Sequence, residues 1–376
     1  MAMTTSCDVA IVGAGLGGCF LALLLGRSGR HVVVVEQGAA IPAAGADFVK
    51  RPGMQALARH GLQSLVERHA LKRDIVRYYH DGEPIQECRY PDGFLIRPYR
   101  ELVEVIYSSC SMEGVDFWFD SRIEHLEHDG DRVAKLILAD GRELLPGVVV
   151  AADGTRSVIR DALGITKETT AYPHMLRVAT VPLTVSVAQL NRLYFSSKGW
   201  FSYLYPINAE HARVFIGLPM ERDQEVFEGG LLVDELREFV TDNDDAYDVL
   251  GPAEWQRIPV SAMRVPAYHR GNTALLGSAA FACHPMTGMG MSYTMHDAEI
   301  LAEVICAAAG DPALLEKGLE TVYEPRRQAH SELIDYGDAL AGTYHDPDTY
   351  LGIFREDLHV FGDTEPTGEG YVKTLR

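Results

Sequence analysis

Three clusters in this 376-residue chain combine residue types and spacings that could do chemistry. The first is Gly13, Gly15 and Gly18, a G-x-G-x-x-G set after Asp8 and the apolar run 9–12, opening a segment with apolar residues at Leu16, Phe20, Leu23 and Leu24. Gly13 permits a tight turn, Gly15 lets a diphosphate approach N–H groups at the positive end of a helix, and Gly18 lets helix and strand pack closely. An all-valine run at 32–35 then ends at Glu36. An acid about twenty residues past the glycines can accept both hydrogen bonds of an adenosine ribose. Strand, turn, helix, strand and acid together predict a βαβ dinucleotide cradle with Leu16 at its helix start, against the plain alternative of a glycine-rich turn.

The second cluster, Asp153-Gly154-Thr155-Arg156-Ser157, is delivered by the apolar run 148–152 and leads to Arg160. Alone, Asp-Gly is simply a turn. The third begins at Gly277-Ser278 after the apolar run 273–276 and continues through His284-Pro285-Met286-Thr287-Gly288-Met289-Gly290-Met291 into a helical pattern. A strand ending at glycine, a loop with proline and two glycines, and a helix start make a second anion-favouring helix end.

The elements that must position these clusters make two lobes. A composition of 47% hydrophobic and 23% charged residues is ordinary for a chain that buries a core. A formal net charge of −19 disfavours nucleic acid and anionic lipid surfaces as partners. Six scattered cysteines with no C-x-x-C, and fourteen histidines with no ligand-like cluster, predict a reducing, cytoplasmic location and no metal. The first apolar run is already the strand at Ile11, so neither a signal peptide nor a membrane span is expected.

In chain order, a small-residue loop at 39–46 leads to Phe48-Val49-Lys50-Arg51-Pro52-Gly53, where Arg51 is either a cofactor contact or a solvated charge. Residues 75–96, broken by Asp81-Gly82 and Asp92-Gly93, read as hairpins belonging to the other lobe. Arg97-Pro98-Tyr99-Arg100 opens a helix whose Leu102, Val103, Ile106 and Cys110 share a face. From 172 to 266 the chain alternates in strands, and alternation puts Phe201, Tyr203 and Tyr205 on one face of a sheet that can wall a flat apolar pocket. Either Tyr203 or Tyr205 is then expected to touch substrate, unless these rings serve only sheet packing. A helix is expected over 226–240, a solvated acidic loop over 242–248, and a strand over 255–268 with Arg257 and Arg264 at the surface or on a ribose. His284 is either a satisfied loop histidine or a proton relay. The expected division is 1–74, 98–171 and 267–343 for the cofactor lobe, 75–97 and 172–266 for the substrate lobe, and 344–376 for a pocket cover or tail.

Over roughly residues 5–340 the three clusters, in this order, resemble the flavin-dependent aromatic hydroxylases of the para-hydroxybenzoate hydroxylase type, the group A flavoprotein monooxygenases. The third cluster is most similar to the squalene-epoxidase and ubiquinone-hydroxylase branches. The resemblance implies an α/β fold: a Rossmann-like FAD-binding domain, a β-sheet substrate domain and C-terminal helices. Gly13, Gly15, Leu16, Gly18 and Glu36 would hold the ADP half of FAD. Asp153, Gly154 and Arg156 would support FAD and the pyridine nucleotide. Gly277, Ser278, Gly288, Met289, Gly290 and Met291 would hold the ribityl chain and isoalloxazine edge. Arg100 falls where the family places an FAD-contacting arginine, and Ser278 stands where it usually has aspartate. No second G-x-G-x-x-G follows a strand, so NADPH or NADH would bind transiently in a surface groove.

The implied activity inserts one atom of O2, carried as a flavin C4a-hydroperoxide, into a phenol, quinolone or polyketide-like ring. Tyr203, Tyr205, His284 and Pro285 are its catalytic candidates. The partners are then a small aromatic and O2, and the chain is a monomer or homodimer. An epoxidase, a reductase, a halogenase or a silent flavin-binding protein would share this fold. Halogenation is disfavoured because Gly199-Trp200-Phe201-Ser202-Tyr203-Leu204-Tyr205-Pro206 lacks the second tryptophan of the halogenase motif.

Overall fold

The structure is a computed structural model describing residues 3–42, 45–111, 113–343, 345–357 and 372–374. Its first sheet is built on parallel strands in the spatial order Thr273–Leu275, Glu143–Ala151, Thr4–Val12, Val32–Val35 and Val115–Trp118. Val9, Ala10, Ile11, the four valines 32–35 and Val149 to Ala151 are buried on both faces. That is why they read as continuous apolar runs rather than alternating ones. A hairpin, Ile123–Asp129 with Arg132–Leu138, extends the Glu143–Ala151 edge antiparallel. The helix Leu16–Arg27 packs on this sheet, and the helix Gly290–Ala308 packs on that helix in turn. The approach is close because a Cβ on Gly17 would lie 2.7 Å from Thr294 Cγ2.

The second sheet runs Gln256–Arg264, Glu168–Pro182, His211–Pro219, Trp200–Pro206, Asn191–Ser196, Leu71–His80 and Glu83–Ile96, with 372–374 at its edge. All its neighbours are antiparallel except Asn191–Ser196 with Leu71–His80. One face buries Tyr79, Tyr194, Trp200, Leu204 and Val214 together with helix residues such as Val226 and Leu236. The opposite face carries Phe201, Tyr203, Tyr205 and Phe215 toward the first lobe.

Several boundaries differ from the sequence reading. Asp81-Gly82 is a true turn, with φ of 44° and 86°. Asp92-Gly93 is not: the strand runs unbroken over Glu83–Ile96, and Gly93 at φ 68° lies at a register shift opposite Arg73 and Ile75. The helix expected at 226–240 is two, Met220–Glu228 and Leu232–Arg237, because Gly229 and Gly230 interrupt it. The substrate lobe expected to start at 172 is entered on a strand that already begins at Glu168. Within 344–376, a helix covers Pro347–Asp357 and a short strand covers 372–374; residues 358–371 lie outside the described residues. Among the described residues no helix is long and apolar enough to cross a membrane, and no group of three or more His, Cys, Asp or Glu side chains could hold a metal.

Candidate active site

The three clusters converge because their strands are neighbours. Ala152 N–H donates to Val12 O and Leu276 N–H to Ala151 O, both at 2.8 Å, so Gly13, Asp153 and Gly277 emerge side by side at the carboxyl ends of parallel strands. This is where open α/β sheets bind ligands.

Gly13 has φ 108°, and a Cβ there would lie 2.4 Å from Ala152 O; a Cβ on Gly18 would lie 2.0 Å from Gly13 O. No other residue fits either position without moving backbone. Glu36 is buried and fixed from both sides, Oε2 accepting from Ala14 N–H at 2.9 Å and Oε1 from Gly38 N–H at 2.8 Å. Each carboxylate oxygen retains a further lone pair for a ribose hydroxyl. The Leu16 N–H, at the helix start, donates to the Tyr99 hydroxyl at 3.0 Å. Gly45 backs that ring so closely that a Cβ would lie 2.3 Å from Tyr99 Cδ2. Arg100 points elsewhere: it is exposed and pairs with Glu104 one helical turn on, at 2.8 Å. Tyr99, not Arg100, therefore occupies the approach to the glycine helix. Arg51 is half-buried at the first position of the helix Arg51–Arg59.

Asp153 caps the short helix Val158–Ala162, its Oδ2 accepting from Val158 N–H at 2.8 Å. Its Oδ1 is buried with no partner, and burial raises the carboxyl above its ordinary value. An orphaned acceptor beside a glycine cradle is what a hydroxyl-rich dinucleotide would satisfy, so the residues present fit FAD. Arg156 is exposed. Arg160, fully buried, joins the second cluster to the third: its guanidinium donates to Thr155 O and Ala279 O, each at 3.1 Å. Gly277 turns at φ 59°, Ser278 is exposed, and Gly288 at φ 61° ends the turn Pro285–Thr287. Met289 is buried, and Gly290 and Met291 begin the helix Gly290–Ala308.

Between the aromatic sheet face and the 284–288 loop lies an apolar pocket lined by Phe48, Tyr78, Tyr203, Tyr205, His284 and Pro285 among others. Phe48 stacks on Tyr203 with centroids 5.6 Å apart and planes 8° from parallel. Tyr205 shows its ring to the pocket, but its hydroxyl donates to Asp47 Oδ2 at 3.1 Å. Asp47 is fully buried and also held by Arg213 Nε at 2.9 Å. The Tyr205 phenol is thus committed to a structural network, while Tyr203 keeps its place over the pocket. Lys50 reaches the pocket rim, where its Nζ donates to Thr287 O at 3.1 Å.

His284 is fully buried, and its Nδ1 accepts from Met286 N–H at 3.1 Å. A neutral ring accepting at Nδ1 carries its proton on Nε2. That Nε2 lies 2.7 Å from Nε2 of His174, also fully buried, so His284 donates and His174 accepts. Burial lowers His174 to about 4, and burial together with His174 holds His284 well below its ordinary value. Both rings are neutral at physiological pH.

Tyr99, Arg160, Asp47, His174 and Tyr350 escaped the sequence reading as site residues. Tyr99 and Arg160 stood beside quoted motifs without a motif role. Asp47 and His174 are lone polar residues whose partners are distant in sequence, a relation no spacing reveals. Tyr350 reaches the pocket from the helix Pro347–Asp357 and packs on Phe195 at 4.7 Å.

Residues 6–335 match the family model of an FAD binding domain. The chain is 28% identical to ubiquinone hydroxylase UbiL of Rhodospirillum rubrum, over 98% of this chain and 86% of that protein. It is 28% identical to para-nitrophenol 4-monooxygenase of a Pseudomonas species, over 81% of this chain and 79% of that protein. The crystal structure of Pseudomonas aeruginosa PqsL in complex with 2-aminobenzoylacetate superposes with a TM-score of 0.88 at 34% identity, covering 93% of this chain and all of that one.

Proposed function

The chain belongs to the FAD-dependent monooxygenases of the para-hydroxybenzoate hydroxylase type, and from that premise we propose that it uses NADPH or NADH and O2 to oxygenate a small, electron-rich aromatic held in the apolar pocket. Bound FAD supplies the redox chemistry that activates O2. The protein's part is to bind, orient and exclude water. The observation that carries the reading is the juxtaposition of the aromatic-walled pocket with the 284–288 loop and the N-terminus of the helix Gly290–Ala308. A helix N-terminus stabilises negative charge, and an apolar wall keeps water from the reacting atoms.

Phe48 and Tyr203 offer faces on which a flat ring can stack. His284, hydrogen-bonded through Nε2 to His174, sets a neutral imidazole at the pocket wall. With its Nδ1 accepting from Met286 N–H and its Nε2–H given to His174, that ring shapes and orients the wall and has no open lone pair for a substrate proton. The 2-aminobenzoylacetate bound by PqsL favours a substituted benzoyl compound over a large polycycle. The reading places the enzyme in the cytoplasm as a monomer or homodimer.

The test is a panel of phenols, anilines and hydroxyquinolones offered to the FAD-loaded protein while NADPH or NADH oxidation is followed. Stimulation by an aromatic and not by aliphatic analogues is expected; a uniform, unstimulated rate would contradict it.

A further inference from the structure

Among the described residues that line the apolar pocket, Lys50 is the only Lys, Arg, Asp or Glu. Its backbone decides where it points. The chain is extended through Phe48–Val49 and on at Lys50, which has φ −89° and ψ 176°. Alternation therefore buries Val49 in the core and turns Phe48 and Lys50 together toward the pocket. The Lys50 N–H donates to Ser292 Oγ at 3.2 Å, in the first turn of the helix Gly290–Ala308, which fixes the residue against the third cluster.

The 285–288 turn is shaped to the lysine stem. Nζ donates to Thr287 O at 3.1 Å, and a Cβ on Gly288 would lie 2.9 Å from Lys50 Cε and 3.4 Å from Nζ. Glycine at 288 thus leaves the stem its path. The Tyr90 ring turns its face to the ammonium, 5.8 Å from the ring centre. These contacts hold a cation at the rim, beside the Phe48 ring that stacks on Tyr203. An ammonium is a compact charge that serves several acceptors at once. With a formal net charge of −19 the chain repels anions, and a cation set in the pocket wall offsets that repulsion locally.

We propose that Lys50 is a specificity-determining residue that receives a carboxylate carried by the aromatic substrate while the ring rests against Phe48 and Tyr203. Aromatic acids are then selected over neutral rings of similar shape. One ammonium in a largely apolar wall balances one negative charge, which suits a carboxylate better than a phosphate. The inference rests on the reading of this pocket as the aromatic site.

The experiment measures binding of 2-aminobenzoylacetate and of its uncharged methyl ester to the FAD-loaded full chain, read from the perturbation of flavin absorbance. The parent should bind the acid about tenfold or more tighter than the ester. Lys50→Met and Lys50→Gln should erase that preference by weakening the acid alone, and Lys50→Arg should keep most of it. An acid-to-ester ratio near one in the parent, or the same ratio in parent and variants, overturns the inference. It is overturned too if both neutral variants lose FAD, or shift the flavin midpoint potential with the ratio intact, because the lysine then serves the cofactor. If neither compound perturbs the parent's flavin, the aromatic-pocket reading falls and takes the inference with it.

Discussion

The Tyr99 hydroxyl accepts a hydrogen bond from the Leu16 N–H at 3.0 Å, at the helix end that a dinucleotide diphosphate would use. The phenol and the cofactor therefore compete for one donor. A neutral hydrogen bond is worth about 0.5–1.5 kcal/mol net, so Tyr99→Phe should tighten FAD by roughly two- to tenfold. Titration of apo-protein followed by flavin fluorescence reads this directly. Weaker binding by the variant would show instead that the hydroxyl turns to hold the diphosphate.

Arg160 ties Thr155 O to Ala279 O from a fully buried position. Its ion pair with Asp161 adds little, because that carboxylate is largely solvated. Arg160→Met strips charge-assisted bonds from two carbonyls and should cost on the order of 2–3 kcal/mol in chemical denaturation. FAD affinity should fall with it, since both carbonyls belong to turns that frame the cradle. Lysine should not rescue the loss, because one ammonium does not present the planar fork of the guanidinium.

The Tyr205 hydroxyl is bound to Asp47, which Arg213 also holds. Tyr205→Phe should therefore lower stability by about 1–2 kcal/mol while leaving kcat near the parent's. A melt beside a steady-state assay separates this from direct substrate contact, which would raise KM or uncouple NAD(P)H oxidation without moving the melt.

His174 and His284 are neutral in the fold, His174 titrating at about 4 against an ordinary value near 6.5. Between those values the unfolded chain binds protons that the folded chain refuses, so stability falls as pH drops from 6.5 toward 4. Above pH 6.5 the pair has no effect. Each histidine steepens the decline by up to about 1.4 kcal/mol per pH unit. Melts of His174→Phe should lose less between pH 7 and 5 than those of the parent; equal slopes would mean that the pair is protonated in the fold.

The parallel core was legible because Gly13, Gly15, Gly18, the valines 32–35 and Glu36 are contiguous in sequence and each obeys a local rule. The convergence of Asp153 and Gly277 with them was legible only through the family resemblance, because the strand order that makes them neighbours is set by pairing between distant segments. The residues of the pocket were not legible to the same degree. Alternation put Tyr203 and Tyr205 on one face, yet only the fold separates a phenol over the pocket from one tied to Asp47, more than 150 residues away in sequence. His174 meets His284 across 110 residues by strand placement alone. Arg100 was drawn in by its position in the chain, whereas the helix phase turns it to solvent and Tyr99 inward.

The most direct test of the account is the fate of isotopic oxygen. The FAD-loaded protein is supplied with NADPH or NADH, labelled O2 and the aromatic that best stimulates cofactor oxidation, and the product is weighed by mass spectrometry. The account predicts a product heavier than its substrate by one labelled oxygen, with the second atom in water. Complete release of the label as hydrogen peroxide, or an oxygen in the product drawn from unlabelled solvent, would contradict it.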